Sequence, residues 1–209
     1  MGRLDQQPED VLRGYAAAAT TDVSAAEDGL GAGDIDVYVR ALLPIGTARV
    51  ADLGAGTGRD AAWFAGSGHD VVAVEPVREL REAGQALHTA SNIRWLDDRL
   101  PDLALLSAHC LFDLVTVCAV WQHLNDENRA ISMPRLAAIV APAGILVMSL
   151  RHGPGAIGRK VFPVAPEVTV ETAQACGLDL LRRRDAGSVQ ATNQAMGVSW
   201  TWLVFQKAS

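Results

Sequence analysis

The chain has 209 residues, 49% of them hydrophobic and 20% charged, with a formal net charge of -6. That length suits one domain with its own core, and the acidic balance lacks the general basic footprint that nucleic-acid binding needs. No run approaches the roughly 20 apolar residues of a bilayer-spanning helix, so a soluble protein without membrane contact is expected.

The first ten residues, Met1-Gly-Arg-Leu-Asp-Gln-Gln-Pro-Glu-Asp10, are polar and acidic. They lack the basic-then-apolar order of a secretory signal, which makes the cytoplasm the expected compartment. Residues 10–43 read as helical at both ends, Val11 to Ala18 and Ile35 to Leu43, around the interruption Asp28-Gly-Leu-Gly-Ala-Gly-Asp34. An N-terminal helical cap over residues 1–48 is therefore expected, ahead of a core over residues 49–209. Within that core, strand-like runs are Arg49 to Leu53, Asp70 to Glu75, Ile93 to Leu96, Phe112 to Cys118 and Gly144 to Leu150. Helix-like stretches lie between them at Asp60 to Ala65, Val77 to Leu87 and Asp126 to Val140. Strands alternating with helices imply crossover units and a mostly parallel sheet buried on both faces.

After Leu150 a Gly/Pro-punctuated segment, Arg151-His-Gly-Pro-Gly-Ala-Ile-Gly158, leads to a short helix ending near Cys176. Two last runs, Leu178 to Arg182 and Val198 to Gln206, have no helix-length pattern between them, so they are expected as an antiparallel excursion at the sheet edge. The expected fold is Rossmann-like, doubly wound α/β, with seven mostly parallel strands, an antiparallel C-terminal edge hairpin and the N-terminal cap. Trp200 and Trp202 have strand spacing and are expected on one buried face. Arg182-Arg183-Arg184 reads as a solvated strand end. Cys110, Cys118 and Cys176 are widely spaced, with neither a disulfide framework nor a metal knuckle, so packed thiols and no metal are expected.

Chemistry concentrates after the first strand. Gly54, Gly56 and Gly58 lie between a strand and a helix, where the backbone must turn sharply and admit a ligand without an intervening side chain. Glu75 closes the second strand about twenty residues on, where an acid accepts hydrogen bonds from ribose hydroxyls. Loop and acid together indicate an adenosine-containing ligand, either a dinucleotide or S-adenosylmethionine. The spacing departs from the dinucleotide pattern G-x-G-x-x-G: the third glycine comes one residue early, and Arg59 takes the last position. Asp52, two residues before the first glycine, disfavours a pyrophosphate and suits an ammonium and a sulfonium.

Residues 49–151 resemble the core of the class I S-adenosylmethionine-dependent methyltransferases. Val50 to Arg59 is similar to their first motif, Val72-Ala-Val-Glu75-Pro76 to the second and Asp97-Asp-Arg-Leu-Pro101 to the acidic loop after the third strand. Phe112 through Cys118 to His123 is similar to the fourth strand and the turn beside the methionine end, and Ala141-Pro-Ala-Gly144 to the turn into the fifth strand. The resemblance implies that Asp52 and Gly54 face the methionine moiety and that Glu75 holds the ribose, with Ala55, Gly56, Arg59, Pro76 and Cys118 among the residues expected to bind the cofactor. It also implies that Asp97 or Asp98 meets the adenine, with Arg99 and Leu100 lining the base, and that Tyr15 of the cap folds over the cofactor.

Methyl transfer from a sulfonium is an in-line displacement, helped by positioning and exclusion of water; a base is needed only for acceptors that must lose a proton. His123 after the fourth strand and His152 after the fifth are the candidate catalytic residues, or else fix their loops. Arg151 is a candidate for binding an acidic group on the acceptor, or closes a salt bridge over the sheet end. Trp121 and Tyr38 are candidates for acceptor contacts, Trp121 as an aromatic wall. A small-molecule acceptor is expected, since the chain beyond the core leaves little for a polymer-binding domain. The alternatives are an RNA or protein acceptor, or a dinucleotide oxidoreductase. The segment Ala119-Val-Trp-Gln-His-Leu124 lacks the Asn/Asp-Pro-Pro-aromatic motif typical of base and glutamine methylation, and there is no paired-glutamate loop as in arginine methylation. A monomer or homodimer is expected.

Overall fold

The computed structural model describes residues 7–19, 42–43, 46–106, 111–155 and 158–209. In chain order these form α1 (Gln7–Ala19), β1 (Arg49–Leu53), α2 (Arg59–Gly66), β2 (Asp70–Val74), α3 (Arg78–Leu87) and β3 (Ile93–Leu96). There follow β4 (Phe112–Val117), a 3-10 turn (Trp121–His123), α4 (Asp126–Ile139), β5 (Val140–His152), α5 (Pro166–Ala175), β6 (Leu178–Gly187), α6 (Ala191–Ala195) and β7 (Ser199–Lys207). Tyr38, Cys110 and most of the expected helix from Ile35 to Leu43 lie outside the described residues.

The strands make one sheet in the order β3-β2-β1-β4-β5-β7-β6. Pairings from β3 across to β5 are parallel, while β7 runs antiparallel between β5 and β6. The expected seven-stranded, doubly wound sheet with an antiparallel edge is thus the observed one. Alternation along each strand supplies both its faces. Ala51, Leu53, Val115, Val117, Leu146, Met148 and Leu150 pack with Met133, Leu136 and Ala137 of α4 on one side. Val50, Val71, Ala73, Leu114, Ile145 and Val147 pack with Ala61 and Phe64 of α2 on the other, joined by Trp200, Trp202 and Val204 of β7.

Two strand boundaries differ from the expectation by more than two residues, for local reasons. β5 begins at Val140 rather than Gly144 because the β4–β5 register slips between Phe112↔Val140 and Leu114↔Ile145. The turn Ala141-Pro142-Ala143, with Ala143 at φ 60°, is carried inside the strand as an irregularity. β6 continues to Gly187, so Arg182 to Arg184 lie mid-strand on an exposed edge. Arg183 there meets Glu167 at 2.7 Å. Charged side chains on an edge strand discourage pairing with another chain.

The strand order reverses between β1 and β4, and the C-terminal ends of β1, β2, β4 and β5 open on the same rim. In an open parallel sheet, that switch point is where a crevice forms. The fold therefore brings the first glycine loop, Glu75, the 3-10 turn and Arg151 to one place.

Candidate active site

A cavity of about 830 Å³ occupies this rim, towards the top of the roughly 300–1,000 Å³ of small-molecule sites. The loop from β1 to α2 forms one wall. Gly54 and Ala55 both donate to the carbonyl of Val74, at 2.8 and 3.0 Å, which pins the loop to the end of β2. Gly54 has φ 75°, and a Cβ there would run into the Val120 side chain. Gly56, at φ 59°, has open space where its Cβ would stand. The two glycines serve different needs: one is packed against protein, the other leaves room for a ligand.

Glu75 is 4% exposed and ties the loop to the next crossover. Its Oε2 accepts from the Gly56 N–H and its Oε1 from the Val77 N–H, both at 2.8 Å. Burial raises its pKa from 4.5 to about 6, against the lowering effect of those two N–H groups. Asp52 is likewise buried and accepts from the Thr116 hydroxyl at 2.7 Å. Burial pushes its carboxyl upward, and the nearby Asp60 adds to the shift. Buried carboxylates held at such cost call for a cation or for donors. Arg59 lies 3.4 Å from Asp60.

The doubled acid after β3 divides its labour. Asp98 faces the cavity, and its oxygens accept from the N–H groups of Arg99, Leu105 and Leu106 at 2.8–2.9 Å. Successive residues on an extended chain point in opposite directions. Asp97 accordingly turns outward to meet Arg81 at 2.9 Å and is absent from the cavity lining. Pro76, Arg99, Leu100 and Cys118 line the cavity with the loop residues. Burial holds the Cys118 thiol well above its usual range, which keeps it neutral.

The opposite wall comes from α1 and from the segments after β4 and β5. The Tyr15 hydroxyl lies 3.0 Å from His123 Nε2, with the rings edge to face. His123 Nδ1 lies 2.7 Å from the carbonyl oxygen of Lys160, an acceptor only. Nδ1 therefore carries the proton, and Nε2 accepts from Tyr15. Burial lowers the His123 pKa and raises that of Tyr15, so both are neutral at physiological pH. The backbone between β4 and this turn is strained at Ala119, with φ 57°, and is held by the Ser149 hydroxyl at 2.8 Å. Such strain in a non-glycine residue is often found at functional sites.

Two expected residues lie elsewhere. His152 follows Arg151 on β5 and so points to the other face of the sheet. Its Nε2 lies 2.8 Å from the Thr201 hydroxyl, and it is not part of the cavity lining. Trp121 is 1% exposed, inside the core under α4, and forms no aromatic wall. The 3-10 turn presents Gln122 and His123 to the cavity and buries Trp121 beneath them. Conversely, Arg159, Asn193 and Trp200 line the cavity although no motif marks them. Only the antiparallel pairing of β5 with β7, which sets Trp200 opposite Arg151, brings the β6–β7 connection over the site. Among the described residues, no group of three His, Cys, Asp or Glu could hold a metal ion, and no helix is long and apolar enough to cross a membrane.

Comparison with known proteins adds sequence to this geometry. Residues 50–144 match the family model of a methyltransferase domain. The chain is 33% identical over 124 residues to an uncharacterized methyltransferase of Mycobacterium tuberculosis H37Rv, covering 56% of this chain and 61% of the relative. A second uncharacterized methyltransferase of that strain is 37% identical over 113 residues, 50% of this chain and 40% of the relative. The chain thus spans less than two thirds of the length of the curated relatives it matches, 61% and 40% of these two. Among solved structures, the Burkholderia thailandensis 1,6-didemethyltoxoflavin-N1-methyltransferase, with bound 1,6-didemethyltoxoflavin and S-adenosylhomocysteine, shares the fold. It aligns at a TM-score of 0.76 and 18% identity, over 100% of this chain and 93% of its own. The N-methyltransferase NodS of Bradyrhizobium japonicum with S-adenosylhomocysteine aligns at 0.70 and 15%, over 93% and 99% of the two chains. Motif order, sheet order and relatives agree: residues 50–144 match a methyltransferase domain, and the chain shares the fold of solved methyltransferases that hold S-adenosylhomocysteine.

Proposed function

We propose that this protein transfers a methyl group from S-adenosylmethionine to a small-molecule acceptor. The observation that carries the reading is the cavity at the switch point, with the glycine loop and two buried carboxylates on one wall and the Tyr15–His123 pair on the other. When bound, S-adenosylmethionine would supply a sulfonium methyl group for in-line transfer, the acceptor–carbon bond forming as the carbon–sulfur bond breaks and S-adenosylhomocysteine leaving with the electron pair. The residues fit it. Gly56 leaves room against the backbone, Glu75 keeps a lone pair on each oxygen for ribose hydroxyls, and Asp52 offers its carboxylate to the methionine ammonium. Asp98, rather than Asp97, stands where the adenine amino group would donate.

The protein's own contribution is enclosure, orientation and a proton path. In this reading residues 1–48 cap the core of residues 49–209, with α1 bringing Tyr15 over the site. The Lys160 carbonyl fixes the His123 tautomer, so that Nε2 stands ready to take the Tyr15 proton. An acceptor hydroxyl or amine that loses its proton passes it to the Tyr15 oxygen as the Tyr15 proton moves to Nε2. A small acceptor is supported by the cavity's volume of about 830 Å³ and by the 1,6-didemethyltoxoflavin bound in the Burkholderia neighbour.

The test is calorimetric titration with S-adenosylhomocysteine, alongside assays of its release from S-adenosylmethionine over a panel of small acceptors. Glu75→Ala is expected to weaken binding by about 1–3 kcal/mol, the range for losing hydrogen bonds to a charged group. Unchanged affinity would place the ribose elsewhere.

A further inference from the structure

We propose that the methyl acceptor carries an anionic group, a carboxylate or one equally acidic, which the guanidinium groups of Arg151 and Arg159 hold between them. This rests on the methyltransferase reading and names the class of molecule that the second half of the cavity takes.

Arg151 is fixed in place before any ligand arrives. Its Nε and Nη2 donate to the Pro154 carbonyl at 3.2 and 2.9 Å, and Nη2 also donates to Asn193 Oδ1 at 2.9 Å. Asn193 is itself held by Gln190, and the guanidinium lies over the Trp200 ring, 5.5 Å from its centroid. A guanidinium has five N–H donors in a planar fork. Three are used here, which leaves the two on Nη1 without an acceptor among the described residues. Arg159 lies across the Tyr15 ring, 4.4 Å from its centroid. Both arginines line the cavity, and neither has a carboxylate partner among the described residues.

The two charges are close enough to act on each other and on the same neighbours. Arg159 disfavours the charge on Arg151, and both disfavour protonation of His123. In a chain with six excess negative charges, two cations lining one cavity without a carboxylate partner among the described residues are an arrangement that a bound anion relieves. Planar, paired donors suit a carboxylate in particular.

The carboxylate of the cofactor is the competing source of that charge, and topology argues against it. The loop after β1, where the methionine end is expected, already holds Arg59 together with Asp52 and Asp60. Arg151 stands at the end of β5, two strands away from β1 and beyond His123. The anion-binding end of the cavity is therefore the acceptor's end.

The experiment is calorimetric titration of the protein saturated with S-adenosylhomocysteine, using benzoate and naphthoate, each against its own amide. At least one acid is expected to bind about tenfold or more tightly than its amide, the size of one charge-assisted hydrogen bond. The double variant Arg151→Gln/Arg159→Gln is expected to erase that preference while keeping wild-type affinity for S-adenosylhomocysteine. Equal binding of acids and amides overturns the inference, as does a tenfold loss of S-adenosylhomocysteine affinity in the double variant, which would assign the pair to the cofactor. Failure of the wild type to bind S-adenosylhomocysteine at all would instead overturn the methyltransferase reading.

Discussion

Glu75 performs two tasks with one carboxylate: it clamps the glycine loop through Gly56 and it presents its remaining lone pairs to the cavity. In the proposed reading ribose hydroxyls donate to the ionised form, so proton binding and cofactor binding compete at this group. With a pKa near 6 in the free protein, affinity for S-adenosylhomocysteine is expected to be full above that pH and to fall as pH drops through it, up to about tenfold per unit. Calorimetry at about pH 5 and about pH 8 checks this; a flat profile would show that Glu75 does not meet the ligand. The sign for folding is opposite. A carboxyl whose pKa rises from 4.5 to about 6 on folding stabilises the cofactor-free protein below pH 4.5, by about 2 kcal/mol at most. That contribution is lost as pH rises through 6. At the other wall, Tyr15→Phe and His123→Ala each remove one member of a hydrogen-bonded pair. Both are expected to keep cofactor affinity and lose about 100-fold in turnover with an acceptor that must give up a proton. If the two act together, the double variant is no slower than either single one. Near-normal turnover in Tyr15→Phe would remove the proton path through its hydroxyl. Of the pairs left open by the sequence, Asp98 and His123 line the cavity while Asp97 and His152 do not; for the two acids, and for His152 after Arg151, alternation along the chain is the reason.

The element most exposed to test is the loop from β1 to α2. Gly54→Ala sets a Cβ against Val120 in a left-handed conformation, and is expected to lower both melting temperature and cofactor affinity. Gly56→Ala meets no protein atom, so its cost to stability is the roughly 1–2 kcal/mol of left-handed backbone, while its methyl group intrudes on the ligand. The prediction is that Gly56→Ala loses more cofactor affinity per degree of melting temperature than Gly54→Ala, checked by thermal denaturation and titration on the same samples. The reverse order would mean that Gly56 does not face the ligand. α1 depends on another close approach. A Cβ at Gly14 would collide with the carbonyl oxygen of Gly158, so Gly14→Ala is expected to unseat the helix and reproduce the turnover loss of Tyr15→Phe. β1 to β4 were legible in the sequence because each is a short apolar run closed by turn residues. β5 was not legible at its start, because its irregularity at Ala141 to Ala143 breaks the periodicity.

At the scale of the whole molecule, a parallel sheet whose order reverses between β1 and β4 makes one crevice, and the chain fills its two ends with different chemistry. Acids and glycines from β1 to β3 form the end that local sequence motifs describe. Arg151, Arg159, Asn193 and Trp200 form the other, assembled from segments far apart in the chain that meet only because β7 returns antiparallel beside β5. Local spacing can describe the first and not the second, which is why one end of the cavity was readable in the sequence and much of the other was not. Trp121 shows the same limit: its apolar ring fits either a ligand wall or a core, and only the packing beneath α4 decides. The central claim is that the switch-point cavity is built for S-adenosylmethionine rather than for a dinucleotide. Its most direct test is thermal denaturation of the wild-type protein with saturating S-adenosylhomocysteine and, separately, NADH, since a ligand that binds only the native state raises the melting temperature. Stabilisation by S-adenosylhomocysteine and none by NADH is the expected result; stabilisation by NADH alone would contradict it.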